Sequence, residues 1–404
     1  MVKNLLSELC VAGVAGDELL RLLRSHYGSS VMHSSSEFFP KSEQHALKVR
    51  RKGARITSIE AGPHFSAADF VALKGEVQRI LIESPGVGMW RNILFSSVPV
   101  KGHFRHASGT FQICPIPAEA PQLGSLGGDH PFILEFQLRE SQDKTITIFR
   151  RAKKALEWTL ILNALLRPLI SSIGPNLKQF WAYCPDEQQP NLEEKWQTKW
   201  VQEGYSIKNF SSRISELSNL QGISIFSIPH QEYYGRKNPD GFVLPDTFSS
   251  MLDSIEKLSD SERARFIRAI QWKYTADRVW EHSQSLTFVA LVASFESLMP
   301  QDDPQEHCPT CGKNISQGPT QKFQDFVERY GPQSPVCRKK RRLYATRSKI
   351  MHGAGLISPD EKPFTFRSHD ELIDQDELDD ISRQVLINWL IEKYWGTAAR
   401  DPNL

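Results

Sequence analysis

Net charge is nearly absent: 49 lysines and arginines stand against 47 aspartates and glutamates in 404 residues, a formal net charge of +2. No global field therefore gathers nucleic acid or an acidic membrane, and any such attraction must come from a local cluster. Cysteine is scarce too. Six in a chain of this length do not make a disulfide scaffold. Cys10, Cys114 and Cys184 are scattered, whereas Cys308, Cys311 and Cys337 lie close together. That pattern suits a reducing compartment, with a metal as the alternative to a disulfide. Long apolar runs are missing. The longest, Trp158–Ile170, contains Asn163, Arg167 and Pro168 and is too short to span a bilayer. Met1–Leu20 carries only Lys3 as a positive charge, and Glu8 interrupts its apolar stretch, unlike a signal peptide. The expectation is a soluble, cytoplasmic protein without membrane contact. Phosphate loops of the G-x-x-x-x-G-K-[ST] type and G-x-S-x-G elbows are also lacking. Gly124-Ser-Leu-Gly127-Gly128 fits neither a phosphate loop nor a dinucleotide turn.

What is present is globular. Forty per cent of the residues are hydrophobic, too many for a disordered chain, and the length fits two or three domains. Residues 1–205 read as an α+β domain. A helix is expected near Asn4–His26. Then come β-type segments at Val77–Glu83, Asn92–Val100, Thr110–Ile116, Phe132–Leu138 and Thr145–Arg150, separated by clusters such as Ser84-Pro85-Gly86. Ala152–Leu166 looks helical. Residues 206–250 read as a connecting segment, with turn chemistry from Tyr234 to Gly241.

From 251 to 398 the pattern becomes helical. Ser259-Asp-Ser-Glu262 has the form of a capping box, followed by Phe266, Ile267, Ile270 and Tyr274 at helical spacing. Phe288, Leu291, Val292, Phe295 and Leu298 define a second helix, ended by Pro300. Thr320 is expected to cap a third, ended by Gly331, and Arg338–His352 forms a fourth. Leu378, Ile381, Val385, Leu386 and Trp389 mark a fifth, ended by Gly396. Five helices with short connections predict a bundle.

The first domain offers little chemistry. His103 and His106 are three apart in a β-rich region and should face opposite sides, which reads as exposed surface histidines. The fourth helix says more: Arg341-Arg-Leu-Tyr-Ala-Thr-Arg347-Ser-Lys-Ile-Met-His352-Gly-Ala-Gly355. An arginine, four residues and a histidine is the signature of HEPN domains, and the phrase around it resembles the Apea-like branch of that family. Ala293-Ser-Phe-Glu296-Ser-Leu-Met299 is similar to that branch's second-helix phrase. The likeness spans residues 255–395.

The resemblance implies an all-α HEPN-like bundle after the α+β domain. It also implies a metal-independent endoribonuclease in a homodimer, often serving bacterial defence or stress responses, with a trigger or partner bound by the N-terminal domain. The chemistry agrees. Metal-free RNA cleavage needs a base for the ribose 2′-OH or an acid for the leaving oxygen, and histidine suits either. An arginine fork stabilises the charge growing on the phosphate. Five residues along a helix turn about 140°, so Arg347 and His352 flank a face, and a second copy of the helix would complete the site. Many active members carry Asn, Asp or His after the arginine. Here Ser348 takes that place, and it can still donate and accept a hydrogen bond. The other reading of the pair is a non-catalytic module that binds RNA, a nucleotide or a protein. A nucleotide transferase is a weaker option, because its usual carboxylate pair for metal ions is not evident.

Glu296 sits beside the apolar face of its helix, where a carboxylate is costly unless paired. Arg347 is one partner, and solvent at the bundle edge is the alternative. The basic run Arg338-Lys339-Lys340-Arg341-Arg342 leads into the motif and suits an RNA backbone or an acidic partner. Cys308-Pro-Thr-Cys311-Gly-Lys has zinc-knuckle form. Cys337 is a third ligand candidate, with His307 or His369 as a fourth for a structural zinc. Free cysteines or a redox pair remain the alternatives.

Overall fold

In the computed structural model of the chain, the described residues are 4–9, 16–28, 30–41, 44–52, 55–83, 85–117, 130–172, 177–184, 195–202, 210–220, 222–235, 241–280, 282–300, 306–307, 314–315, 318–332, 340–361 and 369–395. Helices and mainly antiparallel sheets share the first part of the chain, and helices dominate after residue 247.

Helix α1 (Gly16–Tyr27) is followed by β1 (Val31–His33), β2 (Ser36–Lys41), β3 (Gln44–Lys52) and β4 (Arg55–Ala61), an antiparallel sheet in chain order. Leu47 and Val49 are buried while Lys48 and Arg50 turn outward, the period-two pattern of a strand with one covered face. Two bulges adjust it. The register jumps beside Pro40, which has no N–H to donate, and again where β4 gains Thr57. The second jump lets Ile56 and Ile59 both reach the core with Leu19, Leu20, Leu22 and Leu23 of α1. The helix expected from Asn4 begins only at Gly16. Asn4 instead bridges to Glu60, and its Oδ1 accepts from the N–H groups of Leu6 and Ile59, each at 3.1 Å.

Helix α2 (Ala67–Val77) starts with a capping box between Ser66 and Asp69 and runs into a π-helical turn, Gln78–Ile82. The strand expected at Val77–Glu83 is therefore helical. The carbonyls of this wide turn are taken by side chains: Ser141 Oγ donates to Ile80 O at 2.6 Å, Arg150 Nη2 to Leu81 O at 3.1 Å and Arg139 Nη2 to Ile82 O at 2.5 Å.

Next come β5 (Val87–Ser96), β6 (Phe104–Arg105), β7 (Phe111–Pro115), β8 (His130–Arg139), α3 (Lys144–Leu165), β9 (Ile170–Ser172), β10 (Leu177–Cys184), β11 (Lys195–Gln202) and β12 (Arg213–Ile214). A six-stranded sheet has the order β12-β5-β8-β7-β6, with β9 beside β5. Strands β10 and β11 form a separate antiparallel hairpin. Helix α3 reaches back to Lys144, so Thr145–Arg150 is not a strand. Its β-branched run reads as one, but Asp143 Oδ1 accepts from the N–H groups of Thr145 and Ile146 at 2.7 and 3.2 Å and starts the helix there.

The segment expected to connect the domains holds β13 (Ser227–Ile228), α4 (His230–Gly235) and β14 (Leu244–Pro245); its turn residues 236–240 lie outside the described residues, as do those of Gly124–Gly128. By compactness the chain forms two units, each discontinuous in sequence: residues 1–91, 135–155 and 211–218, and residues 92–134, 156–210 and 219–404. The expected cuts at 205 and 250 are not among these boundaries.

The helical region comprises α5 (Phe248–Lys257), α6 (Asp260–Val279), α7 (Gln284–Leu298), the short pair β15 (Glu306–His307) and β16 (Asn314–Ile315), α8 (Pro319–Tyr330), α9 (Lys340–Met351), α10 (Ser358–Glu361) and α11 (His369–Trp395). Helices α5 and α10 come in addition to the five expected. Ser259 and Glu262 do form a capping box. Helix α8 is capped by Gly318 with Pro319 in its first turn, so Thr320 is not its cap. Helix α7 is buried nearly all round, which makes it the central rod of the bundle. Phe266 stacks on Trp389 at 6.0 Å, and Phe295 meets Phe323 at 5.9 Å. A buried ion cluster ties α6 to α11: Lys273 Nζ lies 2.6 Å from Asp277 Oδ1 and 2.8 Å from Asp379 Oδ1. No helix among the described residues is long and apolar enough to cross a membrane.

Candidate functional site

Helix α9 carries the arginine–histidine motif, and α7 and α8 set its orientation. Leu343 is its buried anchor, and Tyr344 packs against Phe323 of α8 at 5.1 Å. Arg347 faces α7. Its Nη2 donates to Glu296 Oε2 at 2.8 Å, and its guanidinium carbon lies 5.8 Å from the Tyr344 ring centre. Both members of the ion pair are about three-quarters covered, a setting in which pairing matters more than at an open surface. Arg347 Nε is buried without a hydrogen-bond partner among the described residues. Burial raises the Tyr344 phenol above its ordinary value, and the Glu296 carboxylate, to which it is hydrogen-bonded, raises it further. Glu296 and Arg347 thus meet, as the sequence allowed.

His352 lies elsewhere. It is exposed, one residue beyond the last turn of α9. Gly353 follows with φ +70°, a conformation that glycine adopts without strain. Gly353 N–H donates to Ile350 O at 3.0 Å and Ala354 N–H to Lys349 O at 2.8 Å, the paired bonds of a Schellman ending. The chain beyond is fastened to the start of α7. Ile357 N–H donates to Ser285 Oγ at 2.8 Å. Asp360 accepts from Ser283 Oγ at 2.7 Å and from the N–H groups of Gln284 and Ser285 at 3.0 and 2.7 Å. Burial opposes the charge on Asp360, yet these donors outweigh it and hold the carboxyl below its ordinary value.

A surface hollow runs along the side of α9 that carries His352. Arg341, Tyr344, Ser348, Lys349 and His352 line it, and Thr320 at the start of α8 forms its far wall. The hollow thus unites three expected site residues, Arg341, Ser348 and His352, with five that were not expected there, Thr320, Tyr344, Ala345, Lys349 and Ala354. The missed ones were legible in part. Positions 341, 344, 345, 348 and 352 repeat at three and four, one helix face. Thr320 carried no such signal. Arg347 and Glu296 are not part of this lining.

Of the remaining expected residues, Arg342 is exposed, Lys340 begins α9, and Arg338 and Lys339 lie outside the described residues. Cys308, Cys311 and Cys337 do so as well. His307 pairs through its backbone with Asn314, and His369 begins α11. Among the described residues no group of three or more His, Cys, Asp or Glu side chains is placed to hold a metal.

The expectation of exposed histidines at 103 and 106 needs correction. His106 is buried. Its Nδ1 lies 2.7 Å from Ser108 Oγ, and its Nε2 lies 3.1 Å from Asp253 Oδ1 on α5. The hairpin that carries it packs on α5, with Phe104 edge-on to Phe248 at 5.0 Å, and this covers the ring. His103 is half-buried, and its Nδ1 has no partner among the described residues. Comparison of the chain with known protein families, curated proteins and solved structures gave no match.

Proposed function

We propose that the C-terminal bundle is a metal-independent endoribonuclease module centred on His352. The carrying observation is the hollow, in which an exposed histidine stands beside Ser348 and the cations Arg341 and Lys349. In this reading the His352 imidazole takes the ribose 2′-OH proton, the 2′-oxygen attacks the adjacent phosphorus, and the 5′-oxygen leaves with a proton from an imidazolium. Arg347, steadied by Glu296, supplies positive charge to the phosphate. Within one chain Arg347 and His352 point to different sides of α9, so the reading includes a homodimer whose paired α9 helices bring one chain's arginine to the other's histidine. The exposed apolar side chains Met351 and Leu356 beside His352 suit coverage by a second copy. A structural zinc on Cys308, Cys311 and Cys337 belongs to the same reading, since the paired strands β15 and β16 bracket the segment with the first two cysteines. So does a cytoplasmic role in defence, with a trigger sensed by the N-terminal α+β part.

One observation favours a second reading. Arg347 is already engaged by Glu296, as in a module that binds RNA, a nucleotide or a protein without cutting. Purified full-length protein incubated with total RNA, with and without a chelator, separates the two. Cleavage that survives chelation and is abolished by His352→Ala and by Arg347→Ala supports the nuclease. Cleavage by His352→Ala at the wild-type rate rejects it, and RNA retention without cleavage supports the binding module. Light scattering on the same samples reads the dimer, and a monomer that still cleaves rejects the paired-helix arrangement.

A further inference from the structure

The hollow on α9 has a charge balance that backbone contact alone does not require. We infer that it is a seat for a phosphomonoester dianion, the terminal phosphate of an RNA strand or of a free mononucleotide. The inference rests on the reading that this hollow is the RNA-facing side of the module, and it names the chemical group bound there.

Its volume is about 610 Å³, within the range of pockets for nucleotide-sized ligands. Two permanent cations, Arg341 and Lys349, line it, with His352 as a third nitrogen group and the hydroxyls of Ser348 and Thr320 as further donors. Among the described residues no carboxylate lines it. The one acidic residue noted nearby, Glu296, is bound to Arg347 and Tyr344. Arg341 and Lys349 form no ion pair with any described residue, so their charge is not spent within the described part of the fold. An internal phosphodiester carries one negative charge and would leave one of the two cations uncompensated. A terminal monoester at neutral pH carries nearly two charges and three free oxygens, which matches two cations and the hydroxyls of Ser348 and Thr320.

Base recognition is not built in. Of the two aromatic rings among the described lining residues, Tyr344 is packed against Phe323 with the Arg347 guanidinium over it, and the His352 imidazole would stack on any base alike. The ligand is therefore recognised by its phosphate rather than by its sequence.

The test is equilibrium binding of the full chain to a labelled ten-nucleotide RNA in four forms: 5′-phosphate, 5′-hydroxyl, 3′-phosphate and a 5′-phosphate methyl ester. AMP and inorganic phosphate serve as competitors. A phosphorylated end should bind about tenfold tighter than the hydroxyl end, the scale of one added charge-assisted contact. The methyl ester, which keeps the atoms but loses a charge, should fall back towards the hydroxyl form. Lys349→Gln, at an exposed position, should erase the preference while leaving the melting temperature unchanged. Competition by AMP as effective as by the RNA end assigns the seat to the free nucleotide, and weaker competition assigns it to the strand end. Equal binding of all four RNA forms, or a preference that survives both Lys349→Gln and Arg341→Gln, overturns the inference. Cleavage is scored separately on a circular RNA, which has no ends. Cutting of the circle without any end preference rejects the seat and keeps the nuclease. End preference without cutting of any RNA keeps the seat and rejects the nuclease.

Discussion

Replacing Asp360 by alanine tests how the segment after His352 is held. Asp360 supplies a carboxylate to the first turn of α7, accepting from the N–H groups of Gln284 and Ser285 and from the Ser283 hydroxyl. Ser283 Oγ still caps the turn from within, accepting from Leu286 N–H at 3.1 Å. The variant therefore loses one of two caps, together with a favourable charge at a helix N-terminus. A lost cap costs about 1 kcal/mol and the charge roughly another 0.5–1 kcal/mol, so the loss at neutral pH is about 2 kcal/mol. If the cost falls on local opening, the amides at the start of α7 exchange about 30-fold faster. Hydrogen exchange read by mass spectrometry on a peptide covering residues 283–290 measures this directly. Acid gives a second check. The folded-state pKa of Asp360 lies below its ordinary 3.8, so its contribution is full above that value and disappears as the pH falls through the folded-state value. The two proteins should therefore converge in acid. Unchanged exchange at neutral pH, or a difference that persists undiminished at pH 2, would refute this reasoning.

Lys273→Ala leaves Asp277 and Asp379 facing each other in the bundle interior. Burial already raises Asp277, whereas Lys273 and Arg383 outweigh burial to keep Asp379 low. The expected loss is about 3–5 kcal/mol, seen as a fall of roughly 10 °C in melting temperature; a fall under about 2 °C contradicts it. A double-mutant cycle on Glu296→Gln and Arg347→Ala should give a coupling of about 1–2 kcal/mol in urea unfolding, and a value near zero would mean the pair does not hold in solution. Elemental analysis of reduced, purified protein should find about one zinc per chain, with Cys308→Ser lowering the melting temperature; metal-free protein of unchanged stability excludes the zinc.

The parts of the fold that were legible in the sequence are those where one local signal dominates. Ser259 and Glu262 announce the start of α6, and the apolar spacing from Phe288 to Leu298 announces α7. The misread parts carry two signals. Thr145-Ile-Thr-Ile148 has strand-forming side chains, but the Asp143 cap before it makes it helix. Val77–Glu83 holds the strand-like triplet Ile80-Leu-Ile82, but with Leu73 its Val77, Ile80 and Leu81 fall at helical spacing and continue α2. The sheet β1–β4 was missed because Glu37 on β2 is a buried charge, paired with Arg24, and the sheet's two bulges break the alternation. At the candidate site, Arg347, Ser348 and His352 could be picked out as a phrase. Thr320 could not, because its place in the hollow is set by how α8 packs on α9, which no local pattern encodes.

Helix α7 explains why the two halves of the motif stay apart within one chain. Near its C-terminal end Glu296 grips Arg347, and at its N-terminal end Ser285 and the first-turn amides hold Ile357 and Asp360. Helix α9 is therefore tied to α7 through Arg347, and the segment that follows it through Ile357 and Asp360. Because α7 is buried nearly all round, it cannot slide or rotate without opening the core, and close-packed interiors resist such shifts. The direction of Arg347 towards α7 is thus held by the bundle, while His352 stands exposed in the hollow beyond the end of α9. Local rearrangement would have to break the Arg347–Glu296 pair to bring the arginine to the hollow. In the homodimer proposed above, a second chain presents its own α9, whose Arg347 keeps Nη2 on Glu296 and offers its remaining Nη1 to the phosphate. If both groups act on one phosphate, the rigidity of α7 makes pairing of two chains the lower-cost route. Under the proposed nuclease reading, loosening α7 with a core substitution such as Val292→Ala should slow RNA cleavage, and cleavage at the wild-type rate by a variant of lowered melting temperature would refute this role of α7.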